Sequence, residues 1–407
     1  MALQSLFIDF NSYFASVEQQ LRPELRGKPV GVAPVMAETT CCIAASYEAK
    51  AFGIRTGTQV REARRLCPGI EIVHARPPLY VGFHHKLVAA VRMFLDVDKV
   101  LSIDEMVCSL TGELQQRDNA VALAKQIKNA IRALVGTELR SSIGIAPNGY
   151  LAKVASKMQK PDGLVVIEPN DLPEILFRLE LQDLHGIGKR MEQRLHDCGI
   201  HTVEQLCNAN KRQLQHAWRG IAGERLYDLL RGRQVYTPPT QRSSLGHSHV
   251  LSPDARRGDL AFAILNKLLQ KAATRLRHDG LLTGCLWLHL KYLDKNGWQN
   301  KLILDATDDT LTLLHGLKQL WQRRPDTKTP LLRVGVVLAD LSDQQQQSLS
   351  LFAEDTRHVP LNRAVDKINE RFGRHTVYFG GAHQARENAP MRIAFTHIPD
   401  LKLEGDA

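Results

Sequence analysis

The sequence predicts an α+β protein of several domains, and three observations lead to this prediction. Short apolar segments alternate with longer amphipathic ones over residues 1–168, which indicates strands separated by helices. A helical pattern follows over residues 169–235, and strand-like segments return over residues 245–340. The length of 407 residues agrees, because one hydrophobic core rarely organises so long a chain.

The elements of the first region follow in order along the chain. Residues 3–9 predict a buried strand that ends on an acid, and residues 13–21 a helix. The next stretches predict a turn and strand at 27–35, short mixed elements at 39–75, helices at 79–96, 117–135 and 149–159, and a strand at 140–146. The stretch "KVLSIDEMVCSLTG" at 99–112 has a series of apolar residues on both sides of two adjacent acids, and we expect a single buried strand there.

The remaining chain separates into a linker, a second α/β module and a tail. Residues 236–244 carry two prolines among polar residues, as linkers do. Residues 245–340 predict the order strand, helix, strand, strand, helix, strand, with a "DKNG" turn between the second and third strands. The tail, 341–407, has one convincing helix, near 361–372.

The charge balance favours a polyanionic partner. The chain has 53 basic and 43 acidic residues, a formal charge of +10. No uncharged apolar run is long enough to span a membrane, so we expect no membrane partner. The start has no basic segment of a signal peptide, and the seven cysteines form no C-x-x-C pair. We therefore expect reduced thiols and a cytoplasmic protein.

Three acids at strand positions need an explanation. Asp9 ends the first strand, while Asp104 and Glu105 interrupt the later apolar run. Neighbouring strands could bring the three carboxylates together, and their repulsion would then require cations. Oxygen ligands suit Mg²⁺, and two such ions about 4 Å apart could activate a hydroxyl and stabilise a leaving pyrophosphate. The alternative is that each acid faces solvent or pairs with a lysine.

Six motifs occur in a fixed order around these acids. They are "DFNSYFASVEQ", "GKPVGV", "ASYEAKAFGIRTG", "SIDEM", "SSIGIAPN" and "LAKVASKMQKPDG". Together they resemble the Y-family, or translesion, DNA polymerases, both the bacterial DNA polymerase IV type and the catalytic subunit of the DNA polymerase V type. The resemblance covers roughly residues 3–395 and implies a right-hand-like architecture of palm, fingers and thumb with a C-terminal little finger.

The resemblance assigns a domain to each part of the chain. Residues 1–168 would form the palm and the fingers, with the fingers inserted near 20–76. Residues 169–235 would form a helical thumb that contains a helix-hairpin-helix. The linker 236–244 would lead to the little finger, 245–340, and a tail over 341–407.

The resemblance also implies the catalytic centre. Asp9 and Asp104 would bridge two Mg²⁺ ions, and Glu105 would bind the ion that activates the primer hydroxyl. The backbone carbonyl of Phe10 would complete the shell of the nucleotide-side ion.

A deoxynucleoside triphosphate would bind beside this centre. Residues 12–14, which include Tyr13, would offer backbone N–H groups to the triphosphate. Phe14 would be the steric gate that rejects a ribose 2′-hydroxyl. Tyr47 and Lys50, which share a helix face, would clamp the β- and γ-phosphates, and Lys160 would add a second basic contact.

Three positions depart from the pattern of the family. Lys50 stands where many members have Arg, so a point charge replaces a bidentate fork. Ala44 stands where DNA polymerase IV-like members often have Thr, and Asn11 replaces a common second Asp. These changes leave the metal triad intact, but they leave the subfamily and the nucleotide affinity open.

Two regions would contact primer-template DNA. "HGIGKRM" resembles a helix-hairpin-helix turn in which Gly186, Ile187, Gly188 and Lys189 meet a DNA phosphate. Residues 242–340 contain 15 basic and 9 acidic residues, a net charge of +6. The expected phosphate contacts there are Arg242, Lys291, Lys301 and Arg333.

A short peptide in the tail resembles the bacterial sliding-clamp motif. In "QSLSLF" the anchors would be Gln347, Leu349, Leu351 and Phe352, although Ser348 stands where the best match would place Gln. A sliding clamp is therefore an expected partner. The sequence that follows resembles the tail of the polymerase V type, which adds a mutagenesis accessory subunit as a further expected partner.

These observations predict a template-directed, error-prone polymerase for translesion synthesis that has no proofreading domain. Two rival hypotheses remain. One is a catalytically silent, polymerase-like scaffold that recruits repair factors to the clamp. The other is a basic helix-hairpin-helix DNA-binding protein, which would leave the three acids unexplained.

Overall fold

The computed structural model describes residues 2–236, 238, 242–256, 258–344, 358–390 and 398–401. The chain divides into two compact units, Met1–Thr237 with Ile393–Ile398, and Pro238–Arg392 with Pro399–Ala407. Among the described residues, no helix combines the length and apolar character that a membrane span requires.

A five-stranded sheet organises the first unit. Its strands are β1 (Ser5–Phe10), β5 (Lys99–Ser102), β6 (Glu105–Ser109), β7 (Ser141–Ala146) and β8 (Leu164–Val166). Their order is β5-β6-β1-β7-β8, with β1 antiparallel to both β6 and β7. This mostly antiparallel sheet makes the fold α+β.

Hydrophobic side chains cover both faces of this sheet. Leu6, Ile8 and Phe10 of β1 belong to one core, which also includes side chains of α4 (Pro77–Arg92) and α5 (Arg117–Leu134). Because successive strand residues point to opposite faces, Phe7 lies on the other face. It joins a second core with α6 (Gly149–Met158). Asp9 shares the Phe7 face.

A smaller sheet lies between α1 (Tyr13–Leu21) and α4 in the chain. Its order is β3-β2-β4, and it packs with two short helices around its own small core. The elements are β2 (Val30–Ala33), β3 (Ala44–Ala45), α2 (Tyr47–Lys50), α3 (Val60–Leu66) and β4 (Glu71–His74).

Helices complete the first unit after β8. Their apolar faces are buried in the same core that contains Phe7 and α6, which they extend. They are α7 (Lys189–Asp197), α8 (Val203–Asn208), α9 (Lys211–Trp218) and α10 (Ile221–Leu229).

The second unit contains a four-stranded antiparallel sheet covered on one face. Its order is β11-β10-β12-β9, and α11 and α12 pack with it around a common core. The elements are β9 (Ser244–Val250), α11 (Asp259–His278), β10 (Leu281–Tyr292), β11 (Gly297–Thr307), α12 (Thr310–Gln322) and β12 (Leu331–Asp343). The observed order of strands and helices is the predicted one.

A C-terminal segment packs against α11. It contains α13 (His358–Phe372) and a 3-10 turn, Gly380–Ala385. Asp366 forms an ion pair with Arg277 of α11, with Oδ2 2.6 Å from Nε. Gln270 of α11 forms two hydrogen bonds with the backbone of Phe379. The tail therefore contributes ordered structure to the second unit.

The prediction of a single buried strand at 99–112 is wrong. The stretch forms a hairpin of β5 and β6, with Ile103 and Asp104 in the connecting turn. Asp104 thus lies in a turn rather than a strand, and Glu105 begins β6. Adjacent residues within a strand point to opposite faces of the sheet, so two acids in mid-strand could not meet on one face. At a strand end, with Asp104 in the turn, both acids can approach the same charged groups.

Candidate active site

The three acids meet at one end of the large sheet. Asp9 of β1 lies directly opposite Glu105 of β6 in the antiparallel register. The backbone N–H of Phe10 donates to the carbonyl oxygen of Asp104 at 2.9 Å, which fixes the turn beside β1. The hydroxyl of Ser102 donates to Asp104 Oδ1 at 2.6 Å. Adjacent strands thus assemble the acidic cluster that we expected from the sequence.

Burial makes this cluster costly as it stands. The side chain of Asp9 is only 12% exposed, and desolvation raises its pKa although Lys160 opposes the shift. Desolvation raises the pKa of Asp104 to about 6, and the charges of Asp9 and Glu105 add to the rise. Removal of water and mutual repulsion both favour the neutral acids, so cations would stabilise the ionised cluster.

Two lysines supply part of this positive charge. Lys160 Nζ lies 2.6 Å from Asp9 Oδ1, and Lys153 Nζ lies 2.9 Å from Glu105 Oε2. Lys153 projects from α6, which packs on the same face of the sheet as Asp9. The alternative we considered, that such acids pair with lysines, therefore describes two of the three carboxylates in this conformation.

The three carboxylates form a candidate donor set for a metal ion. Within the described residues, no three Asp, Glu, His or Cys side chains are arranged as a ready metal site, and lysines engage two of the three carboxylates. The chemistry nevertheless fits a hard cation, because three carboxylates with little water converge at one strand end. A bound cation would have to replace the ammonium groups.

A close approach of α6 to β7 positions these lysines. A Cβ atom added at Gly144 would lie 2.0 Å from the carbonyl oxygen of Ala152 and 2.4 Å from the backbone nitrogen of Ser156. Only glycine fits at this point of β7. The motif "SSIGIAPN" therefore serves helix packing, and Asn148 caps α6 by accepting from the N–H of Leu151.

Aromatic side chains pack beside the acids. The ring of Phe14 is 3% exposed and stacks on that of Tyr80, with centroids 4.6 Å apart. Tyr13 donates its hydroxyl to the carbonyl oxygen of Tyr80 at 2.6 Å, and Asp104 is among the groups that raise its pKa. In turn, Tyr80 donates to the buried carboxylate of Glu18 at 2.8 Å. The ring of Phe14 is thus held firmly.

The remaining nucleotide-binding candidates also gather near Asp9. Lys50 Nζ lies 4.3 Å from the centroid of the Tyr47 ring, so the two share a face of α2 as predicted. Desolvation and the ammonium of Lys160 lower the pKa of Lys50. Asp9 adds to the rise in the pKa of Tyr47. Electrostatic interactions therefore link the side chains of Asp9, Tyr47, Lys50 and Lys160 within one site.

Asn11, a departure from the family pattern, has a structural role. Its Oδ1 accepts from the backbone N–H of Asp162 at 2.7 Å, and its Nδ2 donates to Ser142 Oγ at 3.1 Å. An aspartate could accept from the N–H of Asp162 but could not donate to Ser142 Oγ. Asn11 therefore holds the turn that carries Lys160.

Sequence reasoning missed Lys153, Ser102 and Tyr80. Lys153 lies inside a quoted motif, four residues before Lys157 on the same helix face, and this spacing was its only signal. Ser102 precedes the acids by two residues and bonds one of them. Tyr80 is distant in sequence from Phe14, and nothing in the sequence links the two rings.

The expected DNA contacts lie in both units. In the first unit, α7 begins at Lys189 after Gly188, and Gly186 adopts φ +91° in the turn before it. In the second unit, Lys291 lies opposite Arg333 on neighbouring strands. Lys301 Nζ lies 5.3 Å from the centroid of Trp287. Arg242 instead pairs with Asp279 at 2.5 Å.

Trp287 and Lys301 belong to an aromatic and basic surface on the sheet of the second unit. The rings of Trp287 and His289 stack with centroids 5.8 Å apart and an interplanar angle of 11°. Both are absent from the hydrophobic core below the sheet. The predicted clamp-binding residues Gln347, Leu349, Leu351 and Phe352 lie outside the described residues.

Three family models match the chain. The model of the impB/mucB/samB family matches residues 8–157, and that of the C-terminal domain of this family matches residues 242–351. The model of the DNA polymerase-iota thumb domain matches residues 182–233.

Curated relatives match over nearly the full length. The DNA polymerase IV of Moorella thermoacetica is 34% identical over 382 residues, which cover 92% of this chain and 94% of the relative. That of Pelotomaculum thermopropionicum is 33% identical over 383 residues, 91% of this chain and 93% of the relative.

Solved structures match as well. A chimeric Y-family DNA polymerase of Dbh and Dpo4 superposes with a TM-score of 0.71 at 24% identity, over 84% of this chain and 100% of the chimera. At this level of identity the likeness shows the fold, which is that of the expected right-hand-like class with mixed α and β content.

Proposed function

This chain belongs to the Y family of DNA polymerases, and we propose that it carries out error-prone translesion synthesis on a primed template. It is a DNA-directed DNA polymerase. The observation that carries the proposal is the meeting of Asp9, Asp104 and Glu105 at one sheet end beside Lys153 and Lys160.

We assign two Mg²⁺ ions to this cluster. Asp9, Asp104, Glu105 and the carbonyl oxygen of Phe10 would hold them. The ions would supply a lowered pKa for the primer hydroxyl and charge neutralisation for the pyrophosphate. The raised pKa of Asp104 supports the assignment, because a neighbouring cation would offset the free-energy cost of ionising this desolvated carboxyl.

The residues of the chain would bind and orient the deoxynucleoside triphosphate. Tyr47, Lys50 and Lys160 would meet its phosphates, and the close contact between Lys160 and Asp9 supports this, because a triphosphate is an alternative partner for the ammonium. Tyr13 lies at the start of α1, where the first backbone N–H groups have no acceptor within the helix itself. Phe14 would exclude the ribose 2′-hydroxyl.

Primer-template DNA would bind both units. The turn at Gly186, Gly188 and Lys189 would meet one phosphate, and the basic surface of the four-stranded sheet would grip the duplex backbone. Lys291 and Arg333 form a neighbouring basic pair on that sheet, as backbone binding requires.

The other partners and the location are also proposals. Residues 347–352 would dock on a sliding clamp, and a mutagenesis accessory subunit would be an alternative partner. We place the protein in the cytoplasm and propose that it works without proofreading.

Primer extension with purified protein and Mg²⁺ tests the proposed reaction. Wild type should extend a primed template, and Asp104→Ala and Glu105→Ala should each lose at least about a thousandfold in rate. Glu113→Ala, an exposed acid outside the cluster, is the matched control and should extend normally. A folded, DNA-binding wild type that extends nothing, even with a clamp added, would favour the silent scaffold.

A further inference from the structure

A cavity in the second unit has no role in the proposed reaction. Its volume is about 470 Å³, and it lies between the segment before α11, the end of β10 and the loop from α12 to β12. The side chains that matter for its chemistry are Arg256, Tyr292, Arg324, Asp326 and Lys328.

Two buried donors in this cavity lack partners. Tyr292 is 6% exposed, and its hydroxyl has no hydrogen-bond partner among the described residues. Arg256 is only partly buried, but its Nε atom is covered and also has no hydrogen-bond partner in the described part of the chain. Buried polar groups in folded proteins nearly always have a partner, so two orphans in the wall of one cavity indicate a missing acceptor.

The charge of the cavity wall is positive. Arg256, Arg324 and Lys328 outnumber Asp326, which leaves a net charge of +2. The guanidinium of Arg324 lies 3.9 Å from the centroid of the Trp321 ring and donates to the carbonyl oxygen of Trp321 at 2.8 Å. This stacking places a cation at the cavity with little freedom.

Burial raises the pKa of Tyr292, against the effect of Arg324. The hydroxyl is therefore a neutral donor at physiological pH. The charge of Asp294, in the turn after β10, adds to the rise. The cavity thus offers an O–H donor, a guanidinium N–H donor and two further cations to one ligand.

We propose that this cavity binds a phosphate group. Tyr292 and Arg256 would donate to phosphate oxygens, while Arg324 and Lys328 would balance the charge. The cavity volume exceeds that of a single phosphate, so the group could belong either to the DNA backbone or to a free phosphate compound. The proposal does not depend on the catalytic assignment, because the cavity lies in the second unit and the acids lie in the first.

The first experiment measures binding of free phosphate compounds. Thermal unfolding of the full-length protein is followed with inorganic phosphate, or with pyrophosphate, against chloride at equal ionic strength. The variants are Tyr292→Phe and Arg324→Gln, and the matched control is Arg323→Gln, an exposed neighbour that does not line the cavity. The quantity compared is the shift in melting temperature on adding phosphate, so that a change in basal stability does not matter.

The second experiment measures binding of primer-template DNA at several salt concentrations. A backbone phosphate in the cavity predicts that Arg324→Gln weakens binding and reduces the slope of log K against log salt by about one. Tyr292→Phe should weaken binding without changing the slope by as much. Arg323→Gln again supplies the comparison.

The two experiments separate the sources and can overturn the proposal. A thermal shift with phosphate that both cavity variants lose, with unchanged DNA binding, identifies a free phosphate compound. Weaker DNA binding in both cavity variants, without a thermal shift in wild type, identifies the DNA backbone. If the cavity variants and Arg323→Gln behave alike in both experiments, the cavity does not bind phosphate. Neither readout requires polymerase activity.

Discussion

The two large sheets of this chain are covered differently. The five-stranded sheet has hydrophobic cores on both faces, one containing Leu6 and Ile8 and the other containing Phe7. The four-stranded sheet has a core on one face, and Trp287 and His289 lie outside it. Charges at the covered sheet are therefore desolvated and paired at short range, whereas the uncovered face of the other sheet can meet a large polyanion.

This difference suits two different tasks. Positioning of a reacting group requires fixed carboxylates in a site with little water, and two covering layers provide it. Grip on a nucleic acid of any sequence requires an accessible basic surface, and a single covering layer leaves one. Substitutions confined to one sheet at a time therefore separate the two tasks.

Among substitutions that compare the two sheets, the largest effect is expected from a single methyl group on the covered sheet. Gly144→Ala should reduce primer extension more than a hundredfold, because the new Cβ atom would displace α6 and with it Lys153. Steady-state extension and circular dichroism check the rate and the fold. The control is Gly284→Ala in β10 of the other sheet, where the nearest atom would lie 3.4 Å from the new Cβ. Equal damage in both variants would contradict the comparison.

The next effect is a gain in stability. Ionised Asp104 costs free energy in the folded state because its pKa is raised to about 6 from 3.8. This cost develops as the pH rises from about 4 to about 6 and stays constant above that range. Asp104→Asn should therefore raise the free energy of unfolding of the metal-free protein by about 2 to 3 kcal/mol at pH 7.5.

Denaturant unfolding at several pH values measures this gain. The difference between Asp104→Asn and wild type should become small near pH 3, below the ordinary pKa of 3.8, where the carboxyl is mostly protonated in both the folded and the unfolded state. A gain that does not change with pH would point to another cause than charge.

A smaller loss is expected from Lys153→Met. The substitution keeps most of the aliphatic stem but leaves the carboxylate of Glu105, with a side chain 19% exposed, without its partner at 2.9 Å. We expect the free energy of unfolding to fall by about 1 to 2 kcal/mol without metal. Thermal unfolding with and without Mg²⁺ checks it, and Mg²⁺ should stabilise this variant more than wild type. Lys125→Met, at an exposed position of α5, should show neither response.

The smallest effect concerns the uncovered sheet. Trp287→Ala should weaken binding of primer-template DNA by about three- to tenfold, through loss of the stacked surface that also supports Lys301. Fluorescence anisotropy with labelled DNA measures it. Trp287→Phe should retain most of the affinity. Unchanged binding in both variants would remove this face from the DNA interface.

Much of the fold followed from local patterns. The limits of β1 and α1 are close to those expected, because their apolar spacing is unbroken and Ser12 and Arg22 bound the helix. The β5–β6 hairpin was missed because its turn, Ile103 and Asp104, contains neither glycine nor proline. An apolar residue in the turn made two strands resemble one.

The candidate site was predictable only in part, and the reason is distance along the chain. Asp9, Asp104 and Glu105 carry a signal because buried acids are rare. Lys153 carries little, since single lysines usually face solvent and only the fold brings this one to Glu105. Tyr292 and Arg256 carry none, because their cavity joins segments that no sequence pattern relates.

The buried carboxylate of Glu18 has an evolutionary consequence. Glu18 near the end of α1 accepts from Arg76 Nε at 3.1 Å and from Tyr80 of α4 at 2.8 Å. The small sheet with α2 and α3 is encoded between these two anchors. Val30, Val32 and Val73 of this small sheet also pack in the core of Leu6 and Ile8. Natural variation and laboratory chimeras should therefore tolerate replacement of this segment as one cassette when the replacement keeps these core positions together with Tyr47 and Lys50.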